Sequence, residues 1–260
     1  MSHQLIQRIY SRFIEQKKAL EKKFWPSSHS NVGYNRHLWN FYARHWNKSL
    51  TYTEDKTLTA KDVNCLGDEW GNRKDVQDVL AGYVYPYINK QCVVGEIGTG
   101  GGRVASQVVD RVQAFHCFDI SDEMLKKVKA ALKAYPQAQF HLLSEAKLPE
   151  ECVEQFDFLY SFDVFPHLDL HTHWQYFQEI HRCLKSKGKA FIHTSNLLAP
   201  DGWKRFAVQK EFAVEGHYFV SPDIIKILAA HAYLKVIKES RIDSNNFYYN
   251  RDYLVILEKS

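Results

Sequence analysis

Glycines at positions 98, 100, 101 and 102 follow a short apolar run and precede a helix-like register, and no other feature constrains this chain as tightly. Val93-Val94-Gly95-Glu96-Ile97 reads as a strand, and Val104, Val108, Val109 and Val112 recur at helical spacing. Strand, tight turn and helix together open a βαβ unit. Glycines permit positive φ and carry no Cβ, so a ligand can lie against bare backbone. The helix start then offers free N–H groups to a polar or anionic ligand group.

Two ligand classes compete for such a loop. A dinucleotide site wants G-x-G-x-x-G, with its third glycine five residues after the first; Arg103 stands there. Glu96 lies two residues before the first glycine, where an acid disfavours a pyrophosphate and suits a cation. Downstream, Ala114-Phe115-His116-Cys117-Phe118-Asp119-Ile120 reads as a second strand ending in an acid. Asp119 falls twenty-one residues after Gly98, where a ribose-binding carboxylate is expected. A solvated loop acid is the alternative, and the loop with its spaced acid disfavours it.

Glu96-Ile97-Gly98-Thr99-Gly100-Gly101-Gly102-Arg103 resembles the first motif of class I S-adenosylmethionine-dependent methyltransferases. Phe118-Asp119-Ile120-Ser121 is similar to their ribose-binding strand end, and residues 155–168 to their fourth-strand segment. The likeness covers roughly residues 90 to 258 and points to the type 11/12-like, small-molecule branch. It implies an α/β fold: a doubly wound, seven-stranded, mostly parallel Rossmann-like sheet with an N-terminal helical and aromatic lid. It implies S-adenosyl-L-methionine as cofactor, held by Glu96, Gly98, Thr99, Gly100, Gly102 and Arg103, then Asp119, Ile120 and Met124, then Ser144, Glu145 and Ala146, and finally Ser161 and Phe162. Many members carry aspartate where Ser144 stands. Arg103 is expected to pair with the cofactor carboxylate, or with Glu96 or Asp119.

Composition narrows the rest. The formal net charge is +4 and the pI about 8.6, too mild to argue for nucleic acid. No apolar run approaches the roughly 20 residues of a membrane span, and no signal-peptide segment opens the chain. Five scattered cysteines form no C-x-x-C, which suggests neither zinc nor disulfides and fits a reducing, cytoplasmic setting.

Residues 1–75 read as an N-terminal helix and lid segment, and 76–260 as the methyltransferase domain with a cap insertion at 196–220. Residues 3–24 have amphipathic spacing with lysines at 17, 18, 22 and 23. They suit a helix packed on the domain, or one that meets a membrane surface or partner. Residues 29–75 read as irregular and aromatic, with one short helix at Leu38–Ala43 and a turn at Gly67–Gly71. Their aromatics either cover the site or simply pack the segment down. Lys185–Gly188 reads as a turn before the fifth strand, and the stretch around Ser244-Asn245-Asn246 as a polar, Tyr-rich hairpin loop.

Methyl transfer needs a nucleophile held in line behind an electrophilic methyl in a dry cavity. Oxygen nucleophiles gain from a general base near neutral pKa, so histidine is the first candidate. His167 and His193 stand at expected strand ends, with Asp163 beside them to hold substrate or orient a histidine; His217 in the cap comes third. His167, His171 and His173 lack the H-E-x-x-H spacing, so no metal is expected. The expected function is methyl transfer to oxygen or nitrogen of a small molecule. The alternatives are a protein or RNA methyltransferase, an NAD-dependent oxidoreductase and a fold-only binding module. Phe162-Asp163-Val164-Phe165 replaces the Asn/Asp-Pro-Pro-aromatic tetrapeptide of many nucleic-acid amino-methyltransferases, which makes nucleic acid an unlikely partner. Oligomeric state is left open.

Overall fold

The computed structural model describes residues 30–46, 65–209 and 217–260; the amphipathic stretch 3–24, Tyr52, Phe212 and Gly216 lie outside them. Seven strands form one sheet in the order β3-β2-β1-β4-β5-β7-β6. They are β1 (Val93–Ile97), β2 (Ala114–Asp119), β3 (Ala138–Leu142), β4 (Phe156–Ser161), β5 (Leu184–Ser195), β6 (Leu234–Glu239) and β7 (Asp252–Lys259). The first five pair in parallel, and β7 runs antiparallel between β5 and β6. Both faces of the sheet are covered, so the central strands are nearly continuous apolar runs. Alternation sends Leu159 into one core with Phe118, Phe156 and Phe177, and Phe158 and Tyr160 into the other with Phe115, Leu80 and Phe191. The chain winds outward from β1 to β3 and returns to β4 on the other side of β1. That reversal opens a crevice beyond the carboxyl ends of β1 and β4, where doubly wound sheets bind ligands.

The helices are α1 (Asn31–His45), α2 (Arg73–Tyr83), α3 (Ala105–Val108), α4 (Asp122–Ala131), α5 (Leu170–Cys183), α6 (Pro200–Val208), α7 (Pro222–His231) and α8 (Phe247–Arg251). Three of them correct the sequence reading. α1 is fifteen residues long, started by the Ser30 side chain accepting from Gly33 N–H, where only a six-residue helix was expected. One of its buried positions is Asn35, so the apolar stripe reads as broken. α6 lies inside a cap that reads as loop. α8 occupies the connection read as a hairpin loop, and the Asn246 side chain starts it by accepting from Tyr248 and Tyr249 N–H. The expected turn at Lys185–Gly188 is instead a bulge within β5. Phe156 pairs with Leu184 and Phe158 with Lys189, and Lys187 takes a φ of 62°.

Candidate active site

The glycine loop is tied to the neighbouring strand end rather than left free. Gly98 and Thr99 N–H donate to the Phe118 carbonyl at 2.7 and 3.1 Å. Gly100 N–H donates to Asp119 Oδ2 and Ser121 N–H to Oδ1, both at 2.8 Å. Each Asp119 oxygen keeps a free lone pair for a further donor. Burial raises the Asp119 pKa to about 6, against the pull of the Ser121, Gly100 and Ile120 N–H groups.

Above this loop lies a cavity of about 840 Å3, its open mouth included. Of the residues expected from sequence, Glu96, Gly98, Thr99, Gly100, Arg103, Asp119, Ile120, Met124, Phe162, Asp163 and His167 line it. Gly102, Ser144, Glu145, Ala146, Ser161 and His193 do not. Ser161 Oγ donates to the Ile97 carbonyl at 2.8 Å and serves the sheet. Ser144 and Glu145 are exposed, and Leu143 forms the wall at the β3 end. Arg36 of α1 explains the change: Nε donates to the Ile120 carbonyl at 3.0 Å, and Nη2 to the carbonyls of Leu143, at 3.1 Å, and Ser144. The arginine thus straps α1 across the ends of β2 and β3.

Glu96 is buried at the cavity floor, and burial, then Asp119, raise its pKa well above the carboxylate range. Tyr160 and Arg103 oppose that shift. Glu96 Oε2 and the Tyr160 hydroxyl are both buried without a partner at full hydrogen-bond geometry. The sequence placed a charged acid here; burial at the cavity floor shifts it toward its neutral form.

Arg103 pairs with neither Glu96 nor Asp119. It binds Asp163 Oδ2 and the Trp70 carbonyl. Despite burial, which would raise it, the pKa of Asp163 is held low by Arg103, then His193 and Arg251. Asp163 N–H donates to His193 Nδ1 at 3.0 Å, which gives that nitrogen the acceptor role. His193 Nε2 lies 2.9 Å from Asp252 Oδ2, off the line of a hydrogen bond. His193 is fully buried behind Asp163, so geometry gives it a supporting position, not one facing an acceptor.

His167 does face the cavity. Its carbonyl accepts from Asn35 Nδ2 at 3.1 Å and Asn31 Nδ2 at 3.3 Å. Its ring stands edge-on to Trp39 at 5.3 Å and to His217 at 5.2 Å. His171 is exposed, and His173 turns inward onto Phe165, so the three histidines do not converge.

Trp39 and Trp70 complete the wall, with ring centroids 5.8 Å apart. The buried Glu69 carboxylate braces them, accepting from Tyr42 OH and Trp46 Nε1 at 2.9 Å and from Gly67 N–H at 2.8 Å. The described aromatics therefore both pack and line the site. Sequence reasoning missed Val32, Asn35, Leu66, Tyr176 and, behind the wall, Tyr248. For Asn35 a signal existed in its helical spacing from Val32 and Leu38, read across a polar residue.

The cavity fits a sulfonium nucleoside. Asp119 offers two acceptors for vicinal hydroxyls, the glycines leave backbone bare, and an orphaned Glu96 oxygen lies at the floor. A pyrophosphate would meet the Asp119 carboxylate there.

Residues 95–192 match the family model described as a methyltransferase domain. With the fold and site, this match supports a methyltransferase domain of the class I, S-adenosylmethionine-dependent kind, with S-adenosylmethionine as its cofactor. It is similar in structure to magnesium protoporphyrin IX methyltransferase of Synechocystis PCC 6803 with bound SAH: TM-score 0.61, 14% identity, 88% of this chain and 100% of that one. A protein of Pyrococcus horikoshii OT3 aligns with TM-score 0.60 and 19% identity over 85% of this chain and 99% of its own. The [4+2]-cyclase SpnF aligns with TM-score 0.57 and 12% identity over 71% and 79%, so likeness at this level speaks for the fold alone. No curated protein matches the chain in sequence.

Proposed function

We propose that this enzyme methylates an oxygen or nitrogen of a compact, partly apolar small molecule. The observation that carries this reading is the cavity in which His167 and Asp163 meet the glycine loop beneath Trp39, Trp70 and Leu66. Walls that bury a ligand on several sides, with few convergent polar groups, suit small molecules. The residues called the N-terminal lid act in this reading as a cover supplied by α1 and the 65–71 turn. Nothing favours nucleic acid: the charge is mild, and the tetrapeptide after β4 is absent.

The bound cofactor would supply an electrophilic methyl on a sulfonium. Asp119 would take its ribose hydroxyls, and Ile120, Met124 and Leu143 would lie against its base. The aromatic wall excludes water. His167 accepts the proton of a hydroxyl acceptor from its place on the cavity wall; an amine acceptor needs only orientation there.

His167→Ala is expected to lower kcat about 100-fold or more for a hydroxyl acceptor, with cofactor affinity unchanged by calorimetry. Normal turnover would make the imidazole a wall residue only. The class of acceptor is tested by incubating the enzyme and methyl-labelled cofactor with cell extract split into small-molecule, protein and RNA fractions. Label in the small-molecule fraction supports the reading; label confined to protein or RNA contradicts it.

A further inference from the structure

The β6–β7 connection delivers a side chain into the back of the active site. Tyr248 of α8 is 1% exposed and does not line the cavity. Its hydroxyl donates to Asp163 Oδ2 at 3.2 Å and accepts from Arg103 Nη1 at 3.4 Å. It is therefore the one neutral group bonded to both members of the ion pair among the described residues. Space for it is made by Gly71, whose φ is +73° and where a Cβ would stand 2.6 Å from the hydroxyl oxygen.

The groups around the pair are built to hold it still. Asp163 takes a left-handed backbone, φ 58°, which residues with a Cβ generally avoid, and the His193 acceptor secures its N–H. Asp163 Oδ1 faces His193 Nδ1 at 3.4 Å and Arg251 at 3.9 Å. Arg251 is itself bound by both Asp252 oxygens, at 2.9 and 2.8 Å from Nε. Two arginines and two aspartates balance in charge. Only Arg103 and Asp163 reach the cavity. They present a cation beside an anion, the complement of a zwitterion, and binding a zwitterion there adds no net charge. The amino-acid end of the cofactor is such a group.

We propose that Tyr248 is a positioning residue that holds Arg103 and Asp163 as a preset pair for the amino-acid end of the cofactor, an inference that rests on the cavity being the S-adenosylmethionine site. Burial and the Asp163 charge push the phenol pKa up, so the hydroxyl stays a donor over the working pH range.

The test is calorimetry of Tyr248→Phe with two probes, S-adenosylhomocysteine and 5′-methylthioadenosine, which carries the nucleoside thioether without the amino acid. The variant keeps the ring and with it the packing, which a thermal melt verifies. It is expected to bind S-adenosylhomocysteine about 10-fold more weakly, the scale of one hydrogen bond to a charged group, with methylthioadenosine affinity unchanged. Equal weakening of both, or no change in either, would overturn the positioning role while leaving the cofactor site standing. Wild-type protein that bound neither nucleoside would instead overturn the cofactor reading beneath it.

Discussion

Asp119→Asn is expected to weaken S-adenosylhomocysteine binding on the order of 100-fold with little loss of thermal stability. The affinity loss follows from the ligand side. Two hydroxyl donors to an ionised carboxylate contribute about 1.5–3 kcal/mol each, and an amide offers one weaker acceptor and a mismatched donor. The stability side has opposing parts. The amide leaves one of the two loop N–H groups, Gly100 or Ser121, facing its own NH2. Against that, burial has raised the carboxyl pKa to about 6, so the folded state holds a proton that the unfolded chain has already released near pH 4. Ionised Asp119 therefore lowers stability increasingly as pH rises from about 4 to about 6, and that cost is fully present above. The amide removes it.

The same shift sets a pH dependence for binding. Hydroxyl donors favour the ionised form, so the ligand displaces a proton whenever Asp119 is protonated beforehand. Affinity for S-adenosylhomocysteine should rise with pH and level off above about 6, falling toward tenfold per unit well below it. Titrations in buffers of different ionisation enthalpy should show proton release at pH 5.5 and none at pH 8. Glu96, also raised, is separated from this effect by the Asp119→Asn variant, in which a release that persists belongs to Glu96. Affinity independent of pH would remove Asp119 from the ribose role.

Gly100→Val is expected to abolish cofactor binding while leaving a folded protein. Gly100 has a φ of +56°, and a Cβ built there meets no atom within 4 Å. The added side chain therefore costs left-handed backbone strain of roughly 1–2 kcal/mol, with no clash at its Cβ, and it fills the space against which a ligand would lie. The next residue behaves differently. A Cβ on Gly101 would stand 2.4 Å from Leu66 Cβ and 2.5 Å from the Leu66 carbonyl oxygen, so Gly101→Ala should be read in the melting temperature. A thermal melt and a titration on both variants separate the two. Retained binding in Gly100→Val would place the ligand elsewhere.

Much of this was legible in the chain. The glycine loop, the acid at 119 and the strand runs carry local signals: chain reversals, spacing and buried apolar segments. They placed the sheet and the cavity-lining residues on β1, β2 and α4. What stayed hidden depends on which distant parts meet. Ser144 looked equivalent to a family contact, but Arg36, more than a hundred residues away, occupies the carbonyls at that strand end. His193 stands at a strand end as expected, yet Asp163 lies between it and the cavity. Within the protein Arg103 offered Glu96 and Asp119 as partners, and the ion pair it makes is with Asp163, sixty residues on. Tyr248 gave no signal, because five residues of helix inside a polar connection have no periodicity to read.

The account turns on the bend between β1 and α3 seating a sulfonium nucleoside. Its most direct test is a calorimetric titration of the wild-type protein with S-adenosylhomocysteine, run beside NAD. The account predicts saturable one-to-one binding of S-adenosylhomocysteine, weakened on the order of 100-fold in Asp119→Asn, and no binding of NAD. Binding of NAD, or S-adenosylhomocysteine affinity indifferent to Asp119, would contradict it.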